Sequence, residues 1–245
     1  MTRTIGTAPK LCLALDKPHG LGDAAIHLVG LRERVEVVKV NSFFVQCHRS
    51  ILEMASELGY ETWVDLKFHD TRETVSDEVK KVSDLGVDYT TIHLSGCSEM
   101  IEAAAKASRS SDLDRRTLLL GITVLTSISQ KQFNTELRVP GSILEHVLHL
   151  AKLGLDNGID GIVCSAQEVA AVRDCVGNDM ILVTPGIRFP EGDVHEQKRV
   201  MSPGDAVRNK SNIVVMGRPL IQGGVEVAKR ARSEMDEAFA EGGGG

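Results

Sequence analysis

This chain has no run of about 18 apolar residues, so no membrane-spanning helix is expected. Aromatic residues are sparse, with six Phe, two Tyr and a single Trp in 245 residues. Lys plus Arg number 28 against 34 Asp plus Glu, a formal charge of −6. Neither a basic face nor interleaved aromatic and basic residues are present to bind nucleic acid, and that function class is set aside. A local basic pocket for one small anion remains compatible with the negative total. The five cysteines, Cys12, Cys47, Cys97, Cys164 and Cys175, form no CxxC pair. They are expected to be reduced thiols in a cytoplasmic protein. Neither CxxC nor HxxxH spacing occurs, so no metal site is expected. The opening MTRTIGTAPK lacks an apolar stretch, and no secretory leader is expected. No Pro, Ser or Gly tract divides the chain, which predicts one domain over residues 1–240. The closing Glu241-Gly242-Gly243-Gly244-Gly245 is expected to be a disordered tail.

Short Val/Ile/Leu-rich runs alternate with longer segments of helical period. Strands are expected at 11–15, 35–40, 62–66, 89–93, 118–124, 161–164, 181–184 and 213–216. Helices are expected at roughly 22–31, 48–58, 74–85, 98–108, 142–157, 167–175, 203–209 and 220–239. Nearly continuous apolar strands imply burial on both faces, hence a parallel sheet with helices outside. Eight units of about 31 residues suit a (β/α)8 TIM barrel. The rival, an open doubly wound sheet, often carries a Gly-rich first turn, whereas this one reads ALDKPHGLGD without GxGxxG.

In such a barrel, chemistry sits where strands end and βα loops begin. The polar residues there are Asp16, Lys39 with Asn41, Asp65 with Lys67 and Asp70, His93 with Ser95, Thr126 with Ser127, Ser165, Thr184 with Arg188, and Gly217 with Arg218. The third strand ends Trp63-Val64-Asp65-Leu66-Lys67-Phe68-His69-Asp70. Residues two apart share a face, so Asp65 and Lys67 are expected inside the mouth, with Leu66 and Phe68 against the outer helices. Lys39 ends the neighbouring strand, about 4.8 Å away. Asp70, just past the strand, is expected to bend back to the same cavity. The result is an alternating row, Lys39, Asp65, Lys67, Asp70, in which each charge holds its neighbours ionised. Opposite charges buried in this way seldom stabilise a fold, which favours a chemical purpose.

Asp65-x-Lys67-x-x-Asp70 resembles the signature of the orotidine 5′-monophosphate decarboxylases, in their bacterial form. LALD (13–16), VKV (38–40), ITVLTS (122–127), VCSAQE (163–168), VTPGIR (183–188) and VMGRP (215–219) fall in the same order and spacing, across almost the whole chain. DxKxxD alone is shared with a wider group that includes a keto-gulonate phosphate decarboxylase and a hexulose phosphate synthase. Those act on sugar phosphates with Mg2+ and are the alternative reading. In one departure, Thr71-Arg72 stands where the family has Ile-Pro, while Asp70 and Thr74 keep the matching positions.

The resemblance implies decarboxylation of orotidine 5′-monophosphate to uridine 5′-monophosphate and CO2, the last step of pyrimidine nucleotide biosynthesis, without cofactor or metal. It implies that Lys67 stabilises and protonates the carbanion, with Asp65 and Asp70 holding it charged and oriented and Lys39 completing the catalytic row. It assigns Asp16 and Lys39 to the ribose, Thr126 to the pyrimidine edge, and Arg188, Gln197, Gly217 and Arg218 to the phosphate. The stretch Gly186–Ser202, long for a βα loop and rich in Gly, Pro and charge, reads as a closing lid. The resemblance further implies a homodimer in which each site borrows Asp70 and Thr74 from the partner.

Overall fold

The computed structural model describes residues 8–110, 116–190 and 201–242. In chain order the elements are β1 (Lys10–Ala14), α1 (Leu21–Leu31), β2 (Val37–Val40), α2 (Ser42–Cys47), α3 (Arg49–Glu57), β3 (Glu61–Phe68), α4 (Arg72–Ser83) and β4 (Tyr89–His93). A 3-10 turn (Leu94–Gly96) leads into α5 (Cys97–Ser108) and β5 (Leu118–Ile122), followed by α6 (Gln130–Thr135), α7 (Ile143–Asp156) and β6 (Gly161–Val163). The remainder holds α8 (Val169–Val176), β7 (Ile181–Thr184), α9 (Pro203–Arg208), β8 (Ile213–Met216) and α10 (Arg218–Glu241). The strands close in sequential order into an eight-stranded barrel, and every neighbouring pair is parallel. The (β/α)8 expectation is met.

Period-two alternation separates two cores along each strand. In β1, Cys12 and Ala14 point into the barrel, where they meet Val37, Trp63 and Val215, while Leu11 and Leu13 pack outward against the helices. Burial of each such leucine contributes roughly 1.5–3 kcal/mol. At Gly161 a Cβ would lie 2.7 Å from the Ile181 carbonyl oxygen, so the close pairing of β6 with β7 leaves no room for a side chain there.

The base of the barrel is sewn by a repeated polar device. The residue before each even-numbered strand sends its side-chain oxygen to a backbone N–H of the preceding odd-numbered strand. Leu11 donates to Glu36 at 2.8 Å, Thr62 to Asp88 at 2.8 Å, Leu119 to Asp160 at 2.9 Å and Leu182 to Asn212 at 2.8 Å. The three whose acceptor is a carboxylate, Glu36, Asp88 and Asp160, contribute about 1.5–3 kcal/mol each, and the neutral Asn212 about 0.5–1.5 kcal/mol. These polar residues therefore close the sheet at the end opposite the mouth. Arg173 secures the same end by donating to the carbonyls of Gly177, Met180 and Lys210 and to Asn212 Oδ1.

Two short helices, α2 and α6, interrupt what the periodicity reads as loop. Their six residues are too few for a helical repeat to show; caps hold them instead. Asn41 accepts from Ser42 N–H, and Ser129 exchanges hydrogen bonds with Gln132 in a capping box. The strand β3 runs on to Phe68, two residues past its expected end. Helix α10 reaches Glu241, and residues 243–245 of the expected tail lie outside the described residues. All five cysteines are unpaired thiols. Among the described residues no helix is long and apolar enough to cross a membrane, and no cluster of three or more His, Cys, Asp or Glu is placed to hold a metal ion.

Candidate active site

A cavity of about 310 Å3 opens at the carboxyl ends of the strands. That is the size of a small-molecule site and the end of the barrel where loops gather. Asp16, Lys39, Asp65, Lys67, Thr126, Arg188, Gly217 and Arg218 all line it, as the sequence predicts. Ala14, Val163 and Val215 supply apolar wall, and Trp63 also borders it.

The charged row is built on β2 and β3. Lys39 Nζ lies 2.8 Å from Asp16 Oδ1 and 3.0 Å from Asp65 Oδ2. Lys67 Nζ lies 2.6 Å from that same Asp65 oxygen. Asp65 thus carries two ammonium groups on one oxygen, while its side chain is only 4% exposed. Burial alone pushes its carboxyl up, but Lys39, Lys67 and Thr91 outweigh burial and hold it below the ordinary carboxylate range. Lys39 shows the mirror image: burial pulls its ammonium down, and Asp65 with Asp16 more than restores it. Both groups are therefore charged at neutral pH. The Lys39 ammonium also stands 5.9 Å from the Trp63 ring centroid, within cation–π range.

Lys67 lies within β3 but breaks its regular geometry. Its φ is +53°, in the left-handed region that side-chain-bearing residues rarely occupy, and the β3–β4 register shifts between Val64 and Phe68. Such a conformation costs on the order of 1–3 kcal/mol and persists only where neighbours enforce it. The alternation argument therefore reaches the right face for Asp65 and Lys67 by a route the backbone does not follow. Leu66 and Phe68 do pack outward, against the helices.

At the far side, β7 ends in Thr184-Pro185-Gly186, and Gly186 turns the chain at φ +78° so that Arg188 borders the cavity. Gly217, Arg218 and Pro219 bring the amino end of α10 to the same side. A helix N-terminus beside two guanidinium groups is an anion site by its electrostatics.

Several expected members do not join. Asp70 and Thr74 are exposed and outside the cavity lining. Asp70 turns to its own loop, accepting from Thr71 N–H at 2.6 Å, and Thr74 pairs hydroxyls with Thr71 at 3.0 Å. The row within one chain is accordingly Lys39, Asp65, Lys67, and the expectation that Asp70 bends back is corrected. Thr184 is fully buried against Ser211, Ser165 N–H donates to Glu168, and Asn41 caps α2. His93 does not line the cavity; its ring lies 5.3 Å from that of His69. Gln197 and residues 191–200 of the expected lid lie outside the described residues. The residue that sequence reading missed is Thr91, which donates to Asp65 Oδ1 at 2.8 Å and accepts from Lys67 N–H at 3.0 Å. Its only signal is its place two residues before the end of β4, in a Thr-Thr pair that reads as ordinary strand.

Residues 9–233 match the family model described as "Orotidine 5'-phosphate decarboxylase / HUMPS family". An orotidine 5'-phosphate decarboxylase of Hydrogenovibrio crunogenus is 38% identical over 224 residues, covering 91% of this chain and 93% of that one. One from Streptococcus suis is 40% identical over 170 residues, covering 69% and 71%. The crystal structure of the Lactobacillus acidophilus orotidine 5'-phosphate decarboxylase superposes with a TM-score of 0.78 at 30% identity, covering 94% of this chain and 99% of that one.

Proposed function

Since this chain belongs to the orotidine 5'-phosphate decarboxylase / HUMPS family, we propose that it converts orotidine 5′-monophosphate to uridine 5′-monophosphate and CO2. We read it as a cytoplasmic homodimer that works without a cofactor. The observation that carries the reading is the Lys39–Asp65–Lys67 row at the mouth of the barrel.

The C6–carboxylate bond breaks and its electron pair stays on C6. That pair lies in the ring plane, where the π system cannot delocalise it. Stabilisation has to come from charge and from a proton. An ammonium supplies both, and Lys67 is the row member that is partly open, with its side chain 35% exposed. It donates a proton to C6 as CO2 departs and regains one from solvent. Asp65 faces the departing carboxylate with like charge, a repulsion that disappears with CO2.

The remaining assignments follow the cavity. Asp16 and Lys39 suit the ribose hydroxyls and Thr126 the pyrimidine edge. Arg188, Gly217 and Arg218, together with Gln197, suit the phosphate. Asp70 and Thr74, exposed on their own subunit, suit a neighbour's mouth across a two-fold axis. A sugar-phosphate reaction with Mg2+ finds less support. Its carboxylate ligands would be Asp16 and Asp65, and both are already engaged by ammonium groups.

The test is an absorbance assay with orotidine 5′-monophosphate, with and without excess chelator. Turnover that survives the chelator supports the reading. No turnover of this substrate, with chelator-sensitive turnover of a keto-gulonate or hexulose phosphate instead, overturns it.

A further inference from the structure

Thr91 is fully buried on β4, does not itself line the cavity, and has no role in the reaction so far described. Its hydroxyl nevertheless joins the two residues on which that reaction turns. It donates to Asp65 Oδ1 at 2.8 Å and accepts from the backbone N–H of Lys67 at 3.0 Å. A hydroxyl has one proton to give, and here it goes to Asp65.

Two consequences follow. With Oδ1 held by Thr91, Asp65 turns Oδ2 to both Lys39 at 3.0 Å and Lys67 at 2.6 Å, which fixes the plane of the carboxylate. And Lys67, at φ +53° where β3 slips its register on β4, has its backbone N–H satisfied by a side chain of the adjacent strand. Without that acceptor, the N–H of a residue already in a disfavoured conformation loses its partner. The same atom therefore aims the carboxylate and anchors the backbone that carries the ammonium.

We propose that Thr91 is a positioning residue that sets the Lys67 ammonium and the Asp65 carboxylate for proton delivery at C6. The proposal rests on the reading of Lys67 as proton donor. It predicts a loss in kcat rather than in nucleotide affinity, because the cavity wall is unchanged when Thr91 changes.

The test compares Thr91→Val, which keeps shape and deletes the hydroxyl, with Thr91→Ser, which keeps the hydroxyl. For Thr91→Val, kcat is expected to fall about 100-fold or more, in the range of general acid–base contributions. The dissociation constant for uridine 5′-monophosphate, measured by calorimetry, should stay within about threefold. Thr91→Ser should return kcat to within about tenfold of the parent. If Thr91→Val does not fold, Thr91→Cys takes its place, since sulfur donates and accepts only weakly; its kcat should fall more than tenfold at unchanged product affinity.

Loss of kcat that is equal in the Val and Ser variants, or that moves in step with product affinity, overturns the proposal. So does kcat of Thr91→Val within threefold of the parent. Lys67→Ala is measured alongside: if it keeps activity, the proton-donor reading fails on its own account. If the parent does not decarboxylate this substrate at all, carboxyl-13C NMR of Asp65 still decides the clasp. Thr91→Val should then raise the titration midpoint of Asp65, and an unmoved midpoint overturns the proposal.

Discussion

Lys67 reaches Asp65, two residues back along β3, with its ammonium 2.6 Å from Oδ2, and does so from a left-handed backbone conformation where β3 shifts its register on β4. Asp65 is buried, whereas Lys67 stands at the lip, half-buried. The pair thus joins a fixed charge to one that opens on the cavity. Lys39 completes it from the next strand, so that Asp65 stays ionised whichever way Lys67 moves.

Replacing Lys67 with Ala should reduce turnover by at least about 10²–10⁴-fold while leaving the fold intact, since Asp65 keeps Lys39. Steady-state assay and circular dichroism read the two halves. Activity within about tenfold of the parent, an effect of roughly 1.4 kcal/mol, would place the proton source elsewhere. A companion variant isolates the backbone. At φ +53° glycine is unstrained and alanine is not, so Lys67→Gly should be more stable than Lys67→Ala by about 0.5–1 kcal/mol, against the usual entropic disadvantage of glycine. Denaturant unfolding with Ala the more stable of the two would contradict the strained geometry.

The barrel and most of the site were legible in the sequence for one reason. Strands buried on both faces leave continuous apolar runs, and where such a run meets a Lys or Asp the barrel mouth is marked. The limits of β4, β7 and β8 coincide with those expected. Other features leave no such trace. The left-handed backbone at Lys67 is a conformational exception whose N–H is met by Thr91, a partner 24 residues away that looks like any strand threonine. Helix α6 shows only a Ser-x-x-Gln cap, and α2 only one asparagine before a six-residue stretch. Asp70 follows Lys67 by three residues, yet chain proximity is not spatial proximity once α4 begins at Arg72 and turns the loop outward.

Arg218→Ala and Arg188→Ala should raise KM strongly for the nucleotide and much less for a substrate lacking phosphate. Both residues line the side of the cavity formed by the amino end of α10. Remote phosphate binding also supports the reacting centre, so kcat is expected to fall to a smaller extent. Equal losses on phosphorylated and truncated substrates would remove these arginines from the phosphate.

Stability should fall on mild acidification because of His93. Burial, then His69 and Lys67, lower its pKa below 6.5, against a smaller opposing pull from Asp65. The unfolded chain therefore binds a proton more readily than the folded one, and stability declines as pH falls below about 6.5 toward the folded-state value. Asp65 acts in a separate window: its depressed pKa contributes stability that is present above about 3.8 and lost only as pH falls through its folded-state value. Lys39, raised above 10.5, loses its contribution only as pH climbs past its own folded-state value. Thermal melts from pH 8 to 5 should show a decline that is reduced in His93→Asn. An unchanged slope in that variant would shift the effect to another group.

Arg173→Lys should destabilise the fold by about 2–4 kcal/mol without touching product affinity. The buried guanidinium spans three carbonyls and the Asn212 side chain, and an ammonium cannot span that set. Calorimetric unfolding with less than about 0.5 kcal/mol of change would show that the base of the barrel does not depend on this clamp.

The last prediction concerns assembly. Asp70 and Thr74 are exposed, and each is satisfied within its own loop rather than in its own chain's cavity. Helix α4 nonetheless buries Val75, Val79 and Val82 against the barrel, which holds this polar loop in a fixed position at the rim. If two mouths pack about a two-fold axis, the loop of one subunit enters the site of the other, and symmetry makes both exchanges identical. Mixing inactive Lys67→Ala with inactive Asp70→Ala protein discriminates the two arrangements. With shared sites, the mixed dimer contains one site bearing both lesions and one bearing neither. Equal random exchange makes half the dimers mixed, with one good site of two, so activity should recover to about a quarter of the parent. If each chain served its own site, every site in every dimer would keep one lesion and nothing would recover. Subunit exchange is verified separately with differently tagged chains. An inactive mixture after verified exchange therefore assigns Asp70 to its own subunit and ends the borrowed-residue reading.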